Sequence, residues 1–202
     1  NNAGIAQAPP GSKTIQGYEA HMGVNCLGPY LFTQLLLPRL LSITKTAPSS
    51  SVRVIFTSSQ IIDKIGPPGG VSLAERESSK HQKDKNWTYS ASKVGRWFLA
   101  SEIDERTRRD GLVSVVQNPG DPRATAWDPV SPVAKFLISP FIYDAKMGAY
   151  TELWAGLSED VTTQDGGKCA VPWGDRWHQN PKDILDSLKA KEEGGTALQL
   201  SF

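Results

Sequence analysis

Sulfur and imidazole are scarce in this chain of 202 residues, which has two cysteines, two methionines and three histidines. Cys26 and Cys169 each sit in an apolar segment with no CxxC or Cys/His spacing beside them. That argues against a disulfide framework or a metal centre and for buried free thiols. Thiols kept reduced suit the cytoplasm. An excess of either charge is also missing, with 22 Lys and Arg against 21 Asp and Glu, so no general attraction to nucleic acid or to a membrane surface is expected. The most apolar stretch, PYLFTQLLLPRLL, is broken by Gln34 and Arg39. It falls short of the about 20 residues a membrane span needs and reads as a core helix.

What is present alternates. From Gly17 to about Leu41, Tyr18, Met22, Leu27, Leu31 and Leu35 recur at helical spacing, predicting one long helix packed on a sheet. Pro29 inside it has no N–H for the carbonyl four residues earlier, so the C=O of Asn25 is expected to be free at a kink. SVRVIFTSS follows, a buried strand from about Val52 to Thr57. Residues 60–87 lack a sustained period and read as a surface excursion. TYSASKVGRWFLASEIDERTRR carries a stripe through Val94, Phe98 and Ile103 and ends in basic residues, the pattern of a second long helix. GLVSVVQNPG predicts another strand. A helix from about Ser139 to Leu157, a short strand near Cys169 to Pro172 and a charged helical tail from Asn180 complete the chain. This order predicts an α/β fold, a doubly wound parallel sheet in three α/β/α layers, as a single domain over residues 1–202 with a substrate lid and tail from about 121.

Tyr89 and Lys93 stand four apart on one helix face. A phenol titrates near pH 10 and is a poor acid or base at neutrality, but a neighbouring ammonium favours the phenolate and is expected to pull that pKa down. Ser58 and Ser59 end a strand, at the sheet edge where ligands bind in parallel α/β folds, and a hydroxyl there can hold a carbonyl oxygen. Asn25 can offer its carbonyl to a water bonded to Lys93. Each residue also has an ordinary reading: a solvated Tyr/Lys pair, a serine cap, a satisfied core amide. His21, His81 and His178, without partners at useful spacing, are assigned to the surface or to local bonds. Trp173 and Trp177 are assigned to covering the core, with a place near the substrate mouth as the alternative.

NNAG, VNCLGPYLFTQLLLP, VIFTSS, YSASK and NPG, in this order over the first 120 residues, resemble the short-chain dehydrogenase/reductase family. The tail GAYTELWAGLSED with PWG is similar to fungal, retinol-dehydrogenase-like members. The resemblance implies a Rossmann-like fold and an NAD(P)-dependent oxidoreductase acting on a carbonyl or alcohol, with NADP favoured over NAD. It implies a tetrad of Asn25, Ser59, Tyr89 and Lys93. Ser59 would orient the substrate carbonyl, Tyr89 would move the proton, and Lys93 would bind the ribose hydroxyls. Asn2, Ala3 and Gly4 match the segment beside the adenosine of the cofactor, and Pro119 and Gly120 match the turn against the nicotinamide. Thr125, one position later than usual, matches the residue that bonds the carboxamide or phosphates.

The phosphate-binding pattern TGxxxGxG occurs nowhere in the chain. In the family it precedes NNAG, so the expectation is a sequence lacking the N-terminal βαβ portion, with strand VRVIFT left open at one edge. Two functions follow: an oxidoreductase, or a shortened non-catalytic module that binds or dimerises through its long helices. The segment 121–142, with Trp127, Phe136 and Phe141, and Tyr143 just beyond it, predicts a moderately apolar small-molecule substrate, by analogy an intermediate of fungal secondary metabolism.

Overall fold

The structure is a computed structural model describing residues 1–70, 84–120, 131, 133, 143–174, 176–178 and 182–189. The expected lid with Thr125, Trp127, Phe136 and Phe141, and also His81, lie outside the described residues. Three β-branched segments form a parallel sheet in the order β1 (Arg53–Thr57), β2 (Val113–Gln117) and β3 (Cys169–Ala170). The register pairs Arg53 with Val113 through Thr57 with Gln117. Alternation along β2 divides two cores. Val113 and Val115 join Ala155, Val161 and Ala170 on one face, while Val116 joins Phe56, Val94, Trp97 and Phe98 on the other. Helix α4 (Lys85–Thr107) covers the second face and α5 (Ala145–Leu157) the first, giving the three-layer Rossmann-like α/β arrangement.

The outer edge of β1 is not bare. The Asn1 backbone nitrogen donates to the carbonyl of Ile55 at 2.8 Å, and Thr57 N–H donates to the carbonyl of Asn1 at 3.3 Å. The opening residues thus run along the edge that the strand pattern left open.

The first long helix starts later than its apolar spacing predicts. Gly17 turns with φ +87, and α1 (Ala20–Met22) begins after Glu19, whose carboxylate caps Met22 N–H. A π-helical turn, Gly23–Leu27, then leads into α2 (Gly28–Thr44), with Pro29 in its first turn. The buried face is also not the predicted one. Met22, Cys26, Tyr30, Leu37 and Leu41 pack on the core, whereas Tyr18, Leu31 and Leu35 are exposed, Leu35 at 72%. The segment is apolar around most of its circumference, so spacing alone does not choose a face. From Ala20 to Thr44 the helical run is long and apolar enough to cross a membrane by length and composition. One side of it packs on the protein core.

The excursion after β1 contains a short helix, α3 (Ile62–Ile65), whose Ile62 is buried. In the tail, α6 (Lys182–Lys189) lays Ile184 on the α4 side of the core.

Candidate active site

The site grows from the carboxyl end of β1 and the first turns of α4. Asp84 caps α4 by accepting from the N–H groups of Asn86 and Trp87, which sets Tyr89 and Lys93 one turn apart inside the helix. Lys93 is buried, with its Nζ 5.5 Å from the Tyr89 ring centre and donating to the carbonyl of Thr57 at 3.1 Å. Burial, assisted by the positive charge of Arg96, pulls its pKa from the ordinary 10.5 to about 7.

The serine pair divides. Ser58 is buried and donates to the carbonyl of Lys93 at 3.0 Å, tying strand to helix. Ser59 accepts from Ile61 N–H at 3.4 Å and lies close enough to the Tyr89 hydroxyl to draw its pKa down. The structure therefore brings Ser59, Tyr89 and Lys93 together and leaves Ser58 behind them.

The electrostatic expectation for Tyr89 needs correction. Its pKa is raised, not lowered, because loss of solvent outweighs the pull of Ser59 and the attraction of Arg96. The cation acting on the phenol is Arg96, on the next helical turn beyond Lys93. Charge is what the spacing argument ranked first, and desolvation is what a sequence does not display.

Asn25 sits in the π turn, fully buried. Its side chain serves as a backbone surrogate for the segment after NNAG: Oδ1 accepts from Ile5 N–H at 2.8 Å, and Nδ2 donates to the Ile5 carbonyl and to Ser92 Oγ, both at 2.9 Å. Its main-chain carbonyl, expected to be free because Pro29 has no N–H for it, accepts from Arg96 Nε at 2.6 Å. Gly4 belongs to the same contact, since a Cβ there would lie 2.8 Å from Asn25 Oδ1 and 3.1 Å from Arg96. A cavity of about 480 Å³ borders Asn1, Asn2 and Ala3 together with Val24, Gly28 and Phe32.

NPG forms the opposite rim. Gly120, at φ +77, donates its N–H to Asn118 Oδ1 at 2.9 Å and faces Pro172 and Trp173. Trp173 meets Tyr143 edge-on at 4.7 Å beside this turn, so it belongs to the rim and not only to the core, while Trp177 packs against Trp154 at 5.3 Å. Both cysteines are buried and free, and burial pushes the Cys26 thiol up to about 12. Among the described residues no His/Cys/Asp/Glu group could hold a metal.

Sequence reasoning missed Arg96 and the long-range histidine contacts, to Thr88 and to Asp63, while the His21–Glu19 bond is of the local kind expected. Buried His21 lies between Glu19 and Thr88, each 3.0 Å from Nδ1, and accepts from Ala8 N–H at Nε2. It meets the Tyr89 ring edge-on at 5.8 Å. His178 bonds Asp63, 115 positions away, at 2.9 Å and stacks on Trp97. Partners that distant carry no spacing signal.

The fold and this strand-end constellation define a Rossmann-like α/β protein with a Tyr/Lys/Ser cluster at the carboxyl end of its sheet. No family model matches the chain. Short-chain dehydrogenase/reductase iacJ of Pestalotiopsis fici is 43% identical over 197 residues, covering 96% of this chain and 58% of its own length. Retinol dehydrogenase 12 of Homo sapiens is 32% identical over 178 residues, covering 86% of this chain and 52% of its own length. A solved structure, the NADPH-bound carbonyl reductase from chicken fatty liver, matches with a TM-score of 0.60 over 86% of this chain and 60% of that one, at 19% identity, a likeness of fold. The chain spans little more than half the length of the curated relatives it matches. It belongs to the short-chain dehydrogenase/reductase family.

Proposed function

We propose that this chain carries the proton-transfer and nicotinamide side of an NAD(P)-dependent oxidoreductase acting on a small apolar carbonyl or alcohol. The observation that carries the reading is the buried Lys93, held at the end of β1 by the Thr57 carbonyl with its Nζ 5.5 Å from the Tyr89 ring, and Ser59 two residues beyond that carbonyl. The donor set fits the group it is asked to hold. Among the described residues one Lys93 N–H is used by Thr57, which leaves donors suited to ribose hydroxyls, and Gly120 and Pro119 give a rim without side-chain bulk.

The nicotinamide, when bound, supplies or accepts the hydride. The rest falls to the chain. Ser59 holds the substrate oxygen by hydrogen bonding. As the carbonyl π pair moves to oxygen, Tyr89 delivers its hydroxyl proton there, and alcohol oxidation reverses that transfer. Lys93, titrating near neutrality, stands behind Tyr89 as the group able to replace the proton. NADP is the favoured cofactor on family grounds. The fungal relatives support a secondary-metabolite intermediate as substrate, the reduced thiols support a cytoplasmic site, and exposed Leu31, Phe32, Leu35 and Leu36 on α2 support a homodimer through the long helices.

The test is Tyr89→Phe in the natural protein that carries this chain. Turnover of a carbonyl panel, followed by nicotinamide absorbance, should fall by about 10²-fold or more with cofactor affinity nearly unchanged. Undiminished turnover would remove Tyr89 from the mechanism.

A further inference from the structure

Arg96 is fully buried, although a guanidinium is seldom so. Its hydrogen bonds among the described residues go to main-chain carbonyls and to no carboxylate. Nε donates to Asn25 at 2.6 Å. Nη1 donates to Thr57 at 2.8 Å, Asn1 at 3.1 Å and Asn2 at 3.4 Å. Nη2 donates to Ala3. A planar fork with five N–H donors is thus spent on gathering three separate pieces of chain: the NNAG segment, the end of β1 and the π turn. The pieces are those that carry Asn2 to Gly4, Ser59 and Asn25.

The position is also electrostatically placed. Arg96 Nη1 and Lys93 Nζ donate to the same oxygen, that of Thr57. Two cations on one carbonyl disfavour each other's charge, and of the two the lysine is able to lose its proton. The guanidinium then remains as the standing positive charge, sharing the Thr57 carbonyl with the lysine whose Nζ lies 5.5 Å from the Tyr89 ring.

We propose that Arg96 is a positioning residue of the oxidoreductase site, locking the NNAG segment, the β1 terminus and Asn25 into one seat and supplying the fixed cation that favours the Tyr89 phenolate. This rests on the proposed function and adds a role for the third position after the lysine of YSASK. It also assigns the Asn25 carbonyl to the guanidinium. The groups facing Tyr89 and Arg96 are Lys93 on the same helix, His21 with Glu19 behind it, and Cys26 in the π turn. Among the cations here the guanidinium is the hardest to deprotonate, although burial lowers its pKa.

The test compares Arg96→Gln, which keeps amide donors and loses the charge, with Arg96→Lys, which keeps the charge and loses the fork. The Tyr89 phenol is titrated as the difference in phenolate absorbance between each protein and the same protein carrying Tyr89→Phe. That measurement needs neither cofactor nor turnover. The Gln variant should titrate about one unit higher than the parent, and the Lys variant within about 0.3 unit of it. In turnover, Lys should raise the cofactor KM several-fold with the pH profile in place, whereas Gln should move the profile to higher pH. A folded Gln variant with an unmoved titration overturns the proposal. If Gln has no cooperative melt, Lys decides: a Lys variant equal to the parent in KM and kcat overturns the seat, and one titrating a full unit away overturns the fixed charge. Undiminished turnover in Tyr89→Phe alone would instead remove Tyr89 from the mechanism of the proposed function and leave the titration result standing.

Discussion

Lys93 shows at the scale of one residue how burial turns a common side chain into a proton-handling group. Its pKa, 10.5 in a solvated lysine, lies near 7. Between those values the unfolded chain binds more protons than the native one, so unfolding free energy rises with pH across that window. Cys26 acts in the other sense: its thiol, ordinarily at 9.0, is pushed up to about 12, so the native state keeps a proton that the unfolded chain loses, and stability falls above about pH 9. Thermal midpoints should therefore climb from pH 7 toward 9 in the parent and stay flat in Lys93→Met. A parent profile without that climb would contradict the burial of the charge. Tyr89, Lys93, Ser59 and Asn25 were legible in the sequence because motif spacing places them. Arg96 and the His178–Asp63 pair were not, because packing across distant segments makes their contacts.

Among the elements, the strands read most directly. Runs of Val, Ile and Phe between polar stops can be satisfied in few ways: β1 falls within one residue of its predicted limits, and β2 lies inside GLVSVVQNPG. Helix α4 was equally plain, since Val94, Phe98 and Ile103 fix one face. The first helix was legible in existence and not in orientation. Its leucines surround the axis, and the face that packs is chosen by α4 and the π turn, which no local pattern encodes. Leu37→Ala should cost about 1–3 kcal/mol in denaturant unfolding, while Leu35→Gln should stay within about 0.5 kcal/mol. The same Leu35→Gln change should shift sedimentation of the natural protein from dimer toward monomer. Equal destabilisation by both would show that the helix is turned, and unchanged sedimentation would count against the α2 interface.

At the scale of the molecule, the parallel order and the three layers follow from alternation of strand and helix, because parallel strands need crossovers and those crossovers cover the sheet. What alternation does not convey is how the opening tetrapeptide is used. NNAG lines the edge of β1, is bonded through Asn1 to Ile55 and Thr57, and is gripped by Arg96 and, through Ile5, by Asn25. The segment that resemblance assigns to the cofactor is thus joined mechanically to the residues assigned to proton transfer. Hydride transfer at that junction is the central claim, and isotope transfer tests it most directly. The natural protein, given nicotinamide cofactor deuterated at the transferring carbon and an apolar ketone, should yield an alcohol bearing one deuterium on the former carbonyl carbon, and Tyr89→Phe should yield almost none. An alcohol formed without the label, or formed equally by both proteins, would contradict the account.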